Sequence, residues 1–381
     1  MRPQDFSSLT LSRYELRLEA RQSASLPVFL GSTLRGAFGH ALKEMACMMS
    51  HRDCNHCLVA DRCIYPYLFE TPMPNDLPQL RGQQRAPHPF ILAPPGLLKS
   101  ASEKPATENE RPPQLVEQTV LNHPVASSKR PLLGGIPVLR KASQSLLPDR
   151  RLRFTAGDQL RFRLTLMGRA TDYLSYVIHT VSEMARRGLG VERARFALSS
   201  VDLIDEADEC ETIYTAGNAG RLVPVDAAGR LSDFVGTCLN ELERAGRKPD
   251  DAVKLRFTTP TRIRVEGDLQ TSLSFELLIR SLLRRVSMLM AVHGQSPLDL
   301  DYGGLIARAA GVRIGQASLT WHDWQRYSNR QETKMKLGGF IGEIEYRGEA
   351  IGEFLPLILA GEILHVGTGT SFGLGKYEIV A

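Results

Sequence analysis

The sequence of 381 residues predicts an α+β protein in which one order of secondary-structure elements occurs twice. Three patterns indicate this: strand-like alternation of polar and apolar residues, helix-like apolar spacing, and recurrence of both in the same order. The resulting order, βαββαβ, is that of the ferredoxin-like unit, so we expect two such domains in tandem. The first unit is predicted from strands at 9–20, 158–168 and 193–205, helices at 31–49 and 171–188, and a short apolar piece between them. The second is predicted from strands at 252–265, 312–327, 335–348 and 376–380 and helices at 273–294 and 351–366.

The predicted boundaries place the N-terminal domain at 1–205, a connector at 206–253 and the C-terminal domain at 254–381. Two segments interrupt the first domain. One is a cysteine-rich insertion, residues 47–63, and the other is a polar, proline-rich segment, residues 97–150, without hydrophobic periodicity. We interpret the second segment as a flexible insertion, with order resuming at Arg151.

The composition is that of an ordinary globular protein, with 43% hydrophobic and 23% charged residues. A formal charge of +5 permits an anionic partner without requiring one. No signal peptide and no uninterrupted apolar stretch of membrane-spanning length is recognisable. We therefore expect a soluble, cytoplasmic protein without a membrane partner.

Four cysteines lie close together in the sequence, at Cys47, Cys54, Cys57 and Cys63. Four thiolates suit a tetrahedral metal ion, with zinc as the first candidate and an iron–sulfur cluster as the second. Four reduced cysteines in a compact loop are the alternative. The sequence thus predicts a structural metal at this quartet. Because four thiolates leave no ligand position open for water, we expect no catalytic role for this metal.

The end of the chain carries a glycine-rich loop at 367–375, with glycines at Gly367, Gly369, Gly373 and Gly375. Missing side chains let a ligand approach and expose N–H groups that can hold phosphates. A tight turn between a helix and a strand explains the same residues. The loop is no nucleotide P-loop, since it follows a helix and precedes a strand.

The C-terminal segment GEFLPLILAGEILHVGTGTSFGLGKYEI resembles the C-terminal signature of the RAMP-superfamily CRISPR endoribonucleases that process precursor crRNA. The segments RYSNRQETKMKLGGFIGEIEYRG, LGSTLRGAFGHALKEMAC, YLFETP and PHPFILAPP resemble other parts of one bacterial branch of this family. The resemblance implies two ferredoxin-like domains of RAMP or RRM type, with RNA bound across the cleft between them. It also implies cleavage of repeat RNA without metal or other cofactor, by attack of a 2′-OH on the adjacent phosphate, which leaves a 2′,3′-cyclic phosphate.

That reaction needs a base, a cation and an acid. On a helical wheel of 31–49, the residues Arg35, Gly36, Gly39, His40 and Lys43 share one face, opposite an apolar one. His40 is the first acid/base candidate, because histidine titrates near working pH and the family often places its catalytic histidine here. Lys43 and Tyr327 are candidates to complete the active site. A solvated surface histidine is the alternative for His40.

RNA contacts are expected from cations and from the glycine-rich loop. The candidates are Arg35, Arg326, Arg330, Lys336, Gly367, Gly369, Gly373 and Gly375. The partners implied are CRISPR repeat RNA, crRNA and subunits of a CRISPR effector complex. Two alternatives remain at this point: a RAMP subunit that binds crRNA without cleaving it, and a metal-cluster or redox protein built on the cysteines.

Overall fold

The computed structural model describes most of the chain outside the two predicted insertions. The described residues are 1–49, 53–54, 56–71, 73, 86–98, 114–118, 149–217, 222–223, 227–246, 249, 251–328 and 333–380. Arg330 lies outside them, and side chains are described neither for 115–118 and 149–150 nor for 323–337.

The N-terminal half contains nine strands and two helices among the described residues. They are β1 Thr10–Ala20, β2 Ala24–Pro27, α1 Gly31–Ala46, β3 Phe90–Ala93, β4 Gln114–Gln118, β5 Asp149–Phe154, β6 Gln159–Met167, α2 Leu174–Arg187, β7 Phe196–Ile204, β8 Cys210–Thr215 and β9 Gly229–Arg230. The rest of the chain forms α3 Leu231–Arg244, β10 Ala252–Thr261, β11 Arg264–Val265, β12 Asp268–Leu269, α4 Phe275–His293, α5 Tyr302–Ala309, β13 Arg313–Ser328, β14 Thr333–Arg347, α6 Ile351–Leu364 and β15 Tyr377–Val380.

Two antiparallel sheets carry the architecture. In the N-terminal sheet the strand order is β3-β6-β1-β7-β8, with β9 added to β1, and in the C-terminal sheet it is β13-β14-β10-β15. In both sheets the first strand of the unit lies between the third and the last, which is the arrangement of a βαββαβ unit. The predicted fold class, tandem ferredoxin-like domains, is confirmed.

Side-chain alternation explains why the strands bury one face. Along β1, Tyr14, Leu16 and Leu18 are fully buried while the residues between them are partly exposed. Because successive side chains of a strand point to opposite faces, this pattern directs one face toward the helices. Leu34, Phe38 and Leu42 of α1, spaced by four residues, join the same core.

The expectation for residues 97–150 is wrong at two points. Gln114–Gln118 form β4, which pairs with β5, and β5 begins at Asp149 rather than Arg151. β5 also pairs with β2, so a three-stranded sheet forms here. The segment QLVEQ has only two apolar residues, Leu115 and Val116, which are consecutive. So short a run within a polar segment gives no strand periodicity.

The predicted connector, residues 206–253, contributes elements to both domains. β8 and β9 extend the N-terminal sheet, whereas Leu231, Phe234 and Val235 of α3 lie in the hydrophobic core of the C-terminal domain. Ile91 and Met167, from the N-terminal sheet, join that same core. The two domains are therefore packed against each other through apolar side chains. Among the described helices, none combines the length and the apolar character that crossing a bilayer requires.

Candidate RNA-cleaving site

The exposed face of α1 carries the candidate acid/base residue. The His40 side chain is 73% exposed, and its Nε2 lies 3.5 Å from Oε1 of Glu44, one helical turn further along. Glu44 also forms an ion pair with Arg187 at the end of α2. A carboxylate at this distance can orient the imidazole ring. Sequence analysis missed Glu44, although the i,i+4 spacing is its signal.

Gly36 and His40 lie on the exposed face of α1, but the prediction is wrong for Gly39. Gly39 is buried, and a Cβ there would lie 2.6 Å from Cε1 of Phe69. The Phe69 ring belongs to a segment remote in sequence, so the helical wheel alone could not reveal this contact. Lys43 lies on the border of the face, with its ammonium group 5.0 Å from the centre of the Tyr65 ring.

Arg35 joins α1 to the glycine-rich loop. Its Nε donates to Ser371 Oγ at 3.0 Å, and its guanidinium group lies 4.4 Å from the centre of the Phe372 ring. On its other side it lies 3.0 Å from His88 Nε2 and over the Phe69 ring. Arg35, predicted to bind RNA, is thus occupied by contacts within the protein.

The glycines of the loop have two kinds of environment. Gly373 and Gly375 are both buried and both have positive φ. A Cβ at Gly373 would lie 2.7 Å from Leu92 O, and a Cβ at Gly375 would lie 1.8 Å from Val366 O. Glycine is required at these two positions by conformation and close packing. Their buried backbone does not fit the RNA contacts expected of them, whereas Gly367 and Gly369 are partly exposed.

Protein carbonyls use several of the N–H groups of the loop. Thr368 N donates to Arg262 O at 2.8 Å, and Gly375 N donates to Pro260 O at 3.2 Å. His365, next to the loop, is buried with its Nδ1 3.1 Å from Leu374 O. Burial lowers the pKa of His365 to about 3, with smaller contributions from Lys376 and Arg285. His365 is therefore a neutral structural histidine and not a proton carrier at neutral pH.

The remaining candidates lie on the long hairpin of β13 and β14. Tyr327 pairs with Lys334, Arg326 with Met335, and Gln325 with Lys336 across its far end. Only the backbone is described at these positions, so the roles of Arg326, Tyr327 and Lys336 stay predictions. Arg330 lies outside the described residues.

The four cysteines all belong to the described part of the segment 47–63. All four are partly buried, and Cys57 N donates to Cys54 O at 3.3 Å. Burial raises the pKa of the Cys54 thiol, with smaller effects of Glu70, Lys43, Cys47 and Cys63. Within the described part of the chain, no three histidine, cysteine or acidic side chains converge to hold a metal ion. The predicted zinc ion or iron–sulfur cluster stays a prediction.

Two ferredoxin-like domains, with the glycine-rich loop of the second packed against the first, give the chain a fold of RAMP type. The family model AF_1859_N, an N-terminal domain, matches residues 9–110 and 137–227, which make up half of the chain. The model for the CRISPR-associated endoribonuclease Cas6 matches residues 255–377. The chain therefore belongs to the family with the AF_1859 N-terminal domain, and its C-terminal domain makes it a Cas6-like protein of a CRISPR endoribonuclease family.

Known relatives are distant in sequence. An uncharacterized protein of Archaeoglobus fulgidus is 21% identical over 378 residues, covering 98% of each chain. Thermus thermophilus Cas6 superposes with a TM-score of 0.46 at 15% identity, covering 98% of this chain and 99% of that one. A partial Cas6-RT-Cas1–Cas2 complex gives a TM-score of 0.49 at 12% identity, covering 98% of this chain and 46% of that one.

Proposed function

We propose that this chain cleaves precursor CRISPR RNA within its repeats, without a metal ion, by transesterification. The 2′-oxygen attacks the adjacent phosphorus, the P–O2′ bond forms and the P–O5′ bond breaks. The products are a 2′,3′-cyclic phosphate and a 5′-OH. The exposed His40 on α1, a helix that begins against the glycine-rich loop of a Cas6 domain, carries this proposal.

The reaction moves two protons. In its neutral form, the His40 imidazole accepts the proton of the 2′-OH, and in its protonated form it donates one to the leaving 5′-oxygen. Glu44, with its Oε1 3.5 Å from His40 Nε2, orients the ring. Lys43 lies on α1, three residues after His40, at the border of the exposed face. Its ammonium group supplies the positive charge that stabilises the phosphorane.

The RNA is proposed to lie along α1 toward the partly exposed glycines, Gly367 and Gly369, and toward the β13–β14 hairpin. Arg326, Arg330 and Lys336 add positive charge there, which suits the phosphate backbone. Tyr327 is proposed to complete the site. Subunits of a CRISPR effector complex are the proposed recipients of the processed crRNA.

The test is a cleavage assay in EDTA with a cognate repeat RNA and analysis of the product ends. The wild-type protein is expected to leave a 2′,3′-cyclic phosphate. His40→Ala should be slower by about 100-fold or more, since general acid–base catalysis contributes roughly that much. His56→Ala is the matched control, because His56 is an exposed histidine that lies outside α1 and α2.

Each other outcome has a distinct meaning. Full cleavage by His40→Ala would remove His40 from the mechanism while keeping the nuclease. Tight, salt-dependent RNA binding without cleavage by the wild type would support the crRNA-binding subunit instead. Loss of wild-type activity in EDTA, restored by a divalent metal, would contradict metal independence.

A further inference from the structure

Three tyrosines and one arginine form a surface feature that the proposed reaction does not use. We call Tyr67, Tyr173, Tyr176 and Arg169 the tyrosine ladder. The ring centres of Tyr67 and Tyr173 are 6.0 Å apart, and those of Tyr173 and Tyr176 are 6.3 Å apart at an interplanar angle of 74°. The guanidinium group of Arg169 lies 4.4 Å from the centre of the Tyr67 ring.

The ladder runs from the junction of the domains to solvent. At its inner end, His293 of the C-terminal domain meets the Tyr67 ring edge-on at 6.0 Å, and His293 Nε2 lies 2.7 Å from Pro87 O. At its outer end, Tyr176 is 57% exposed. Arg169, which lies over the inner Tyr67 ring, is exposed as well. Burial raises the pKa of Tyr67 to about 12, so this inner ring stays uncharged.

This combination suits one class of ligand. An exposed aromatic face held by other rings offers a stacking surface at small entropic cost, and a neighbouring guanidinium group attracts phosphate. A nucleobase presents a flat face for stacking only where it is unpaired, because a duplex covers the faces of its bases. Aromatic side chains and arginine are the residues that recognise such bases in single-stranded RNA.

The ladder also lies on the same side of the N-terminal domain as His40. α1 and α2 pack side by side, and Arg187 at the end of α2 contacts Glu44 next to His40. Eleven residues separate Tyr176 from Arg187, which is about 16 Å along a helix at 1.5 Å per residue. One RNA strand can therefore reach both positions.

We propose that the tyrosine ladder binds unpaired nucleotides that flank the cleaved part of the repeat RNA, with Tyr176 stacking on a base. This inference rests on the proposed function for the identity of the RNA. The stacking itself requires only single-stranded RNA.

The test compares Tyr176→Ala with Tyr176→Phe, which keeps the aromatic face and removes only the hydroxyl group. Dissociation constants are measured by fluorescence anisotropy in the His40→Ala background, so that cleavage does not interfere. The probes are a repeat hairpin alone, the same hairpin with eight uridines on its 5′ or its 3′ side, and an unstructured oligouridine.

Tyr176→Ala is expected to weaken binding of the extended hairpin and of oligouridine about tenfold, as loss of one base–aromatic stack does. Binding of the bare hairpin should stay within about twofold, and Tyr176→Phe should match the parent protein on every probe. Arg169→Gln should weaken binding of the same probes and reduce the salt dependence of that binding.

Equal affinity of the Tyr176→Ala and parent proteins for all three probes that contain single-stranded RNA would overturn the proposal, and would point to a protein partner at this surface. The result is separable from the proposed function. If the wild type cleaves no repeat RNA but Tyr176→Ala still loses affinity for oligouridine, the nuclease assignment fails and the ladder survives. Because Tyr176 is largely exposed, the variant is expected to fold, which thermal unfolding checks.

Discussion

At the scale of single residues, the histidines of this chain differ by their surroundings rather than by their sequence context. His40 is exposed beside a carboxylate, whereas His365 is buried against the carbonyl of Leu374. His88 is partly buried. Its Nε2 accepts a hydrogen bond from Arg35 Nη2, so the ring proton is on Nδ1, which lies 3.3 Å from Thr71 Oγ1. His40 combines an exposed ring with a position on α1, the helix that begins against the glycine-rich loop.

His365 is expected to make the protein less stable in acid. Burial lowers its pKa to about 3 in the folded state, whereas the pKa of an unfolded histidine is about 6.5. Since the unfolded state takes up the proton first, stability is complete above pH 6.5. It then falls by about 1.4 kcal/mol per pH unit as the pH drops toward 3.

The measurement is urea unfolding at pH 7, 6, 5 and 4 for wild type and His365→Asn, whose side chain does not titrate. Stability should fall less steeply with acid in the variant, and the exposed His179→Asn should follow the wild type. Parallel curves for wild type and His365→Asn would show that the pKa of His365 is not lowered.

At the scale of elements, α1 has two different environments at neighbouring positions. Its two inner glycines are three residues apart, yet Gly36 faces open space and Gly39 faces the ring of Phe69. That ring is held by Tyr65, stacked on it at 5.5 Å, and by Phe90 at 5.1 Å. The backbone of α1 can therefore come this close to the aromatic cluster only because residue 39 has no side chain.

Alanine substitutions at these two glycines are expected to have opposite effects on stability. Gly39→Ala places a Cβ 2.6 Å from the Phe69 ring and should lower the free energy of unfolding by about 1 to 2 kcal/mol. Gly36→Ala meets nothing within 4 Å and should raise it by up to about 1 kcal/mol, because alanine favours helix. Urea unfolding of both variants measures the difference, and a stabilising Gly39→Ala would refute the close contact.

At the scale of the whole molecule, the glycine-rich loop holds the two domains together beside the candidate site. Gly373 packs on Leu92 of β3, and a Cβ at Gly31 of α1 would lie 2.0 Å from Phe372 O. Arg35 crosses the same junction between Ser371 and His88. The loop thereby fixes the C-terminal domain against the helix that carries His40.

Arg35→Met is expected to lower the free energy of unfolding by about 1 to 3 kcal/mol. Methionine keeps apolar bulk between the rings but leaves the acceptor on His88 and the hydroxyl group of Ser371 without this donor. Arg35→Lys should not restore stability, since one ammonium group cannot reproduce the planar fork.

The matched control is Arg280→Met, which removes an exposed arginine paired with Glu276 on α4 and should change stability by less than about 0.5 kcal/mol. Thermal and urea unfolding measure both variants. If Arg35→Met unfolds like the wild type while RNA binding weakens, Arg35 contacts RNA instead of joining the domains.

The sequence by itself determined the two βαββαβ units, the exposed position of His40 and the glycine-rich loop. These rest on local periodicity and on residue types, which a single segment carries. Only the tertiary structure decided that Gly39 is covered, that Arg35 faces the loop, and that Gly373 and Gly375 are packing positions. The same holds for the tyrosine ladder, whose members come from segments about 100 residues apart. Such contacts depend on which remote segments meet, and no periodicity within one segment encodes its neighbours.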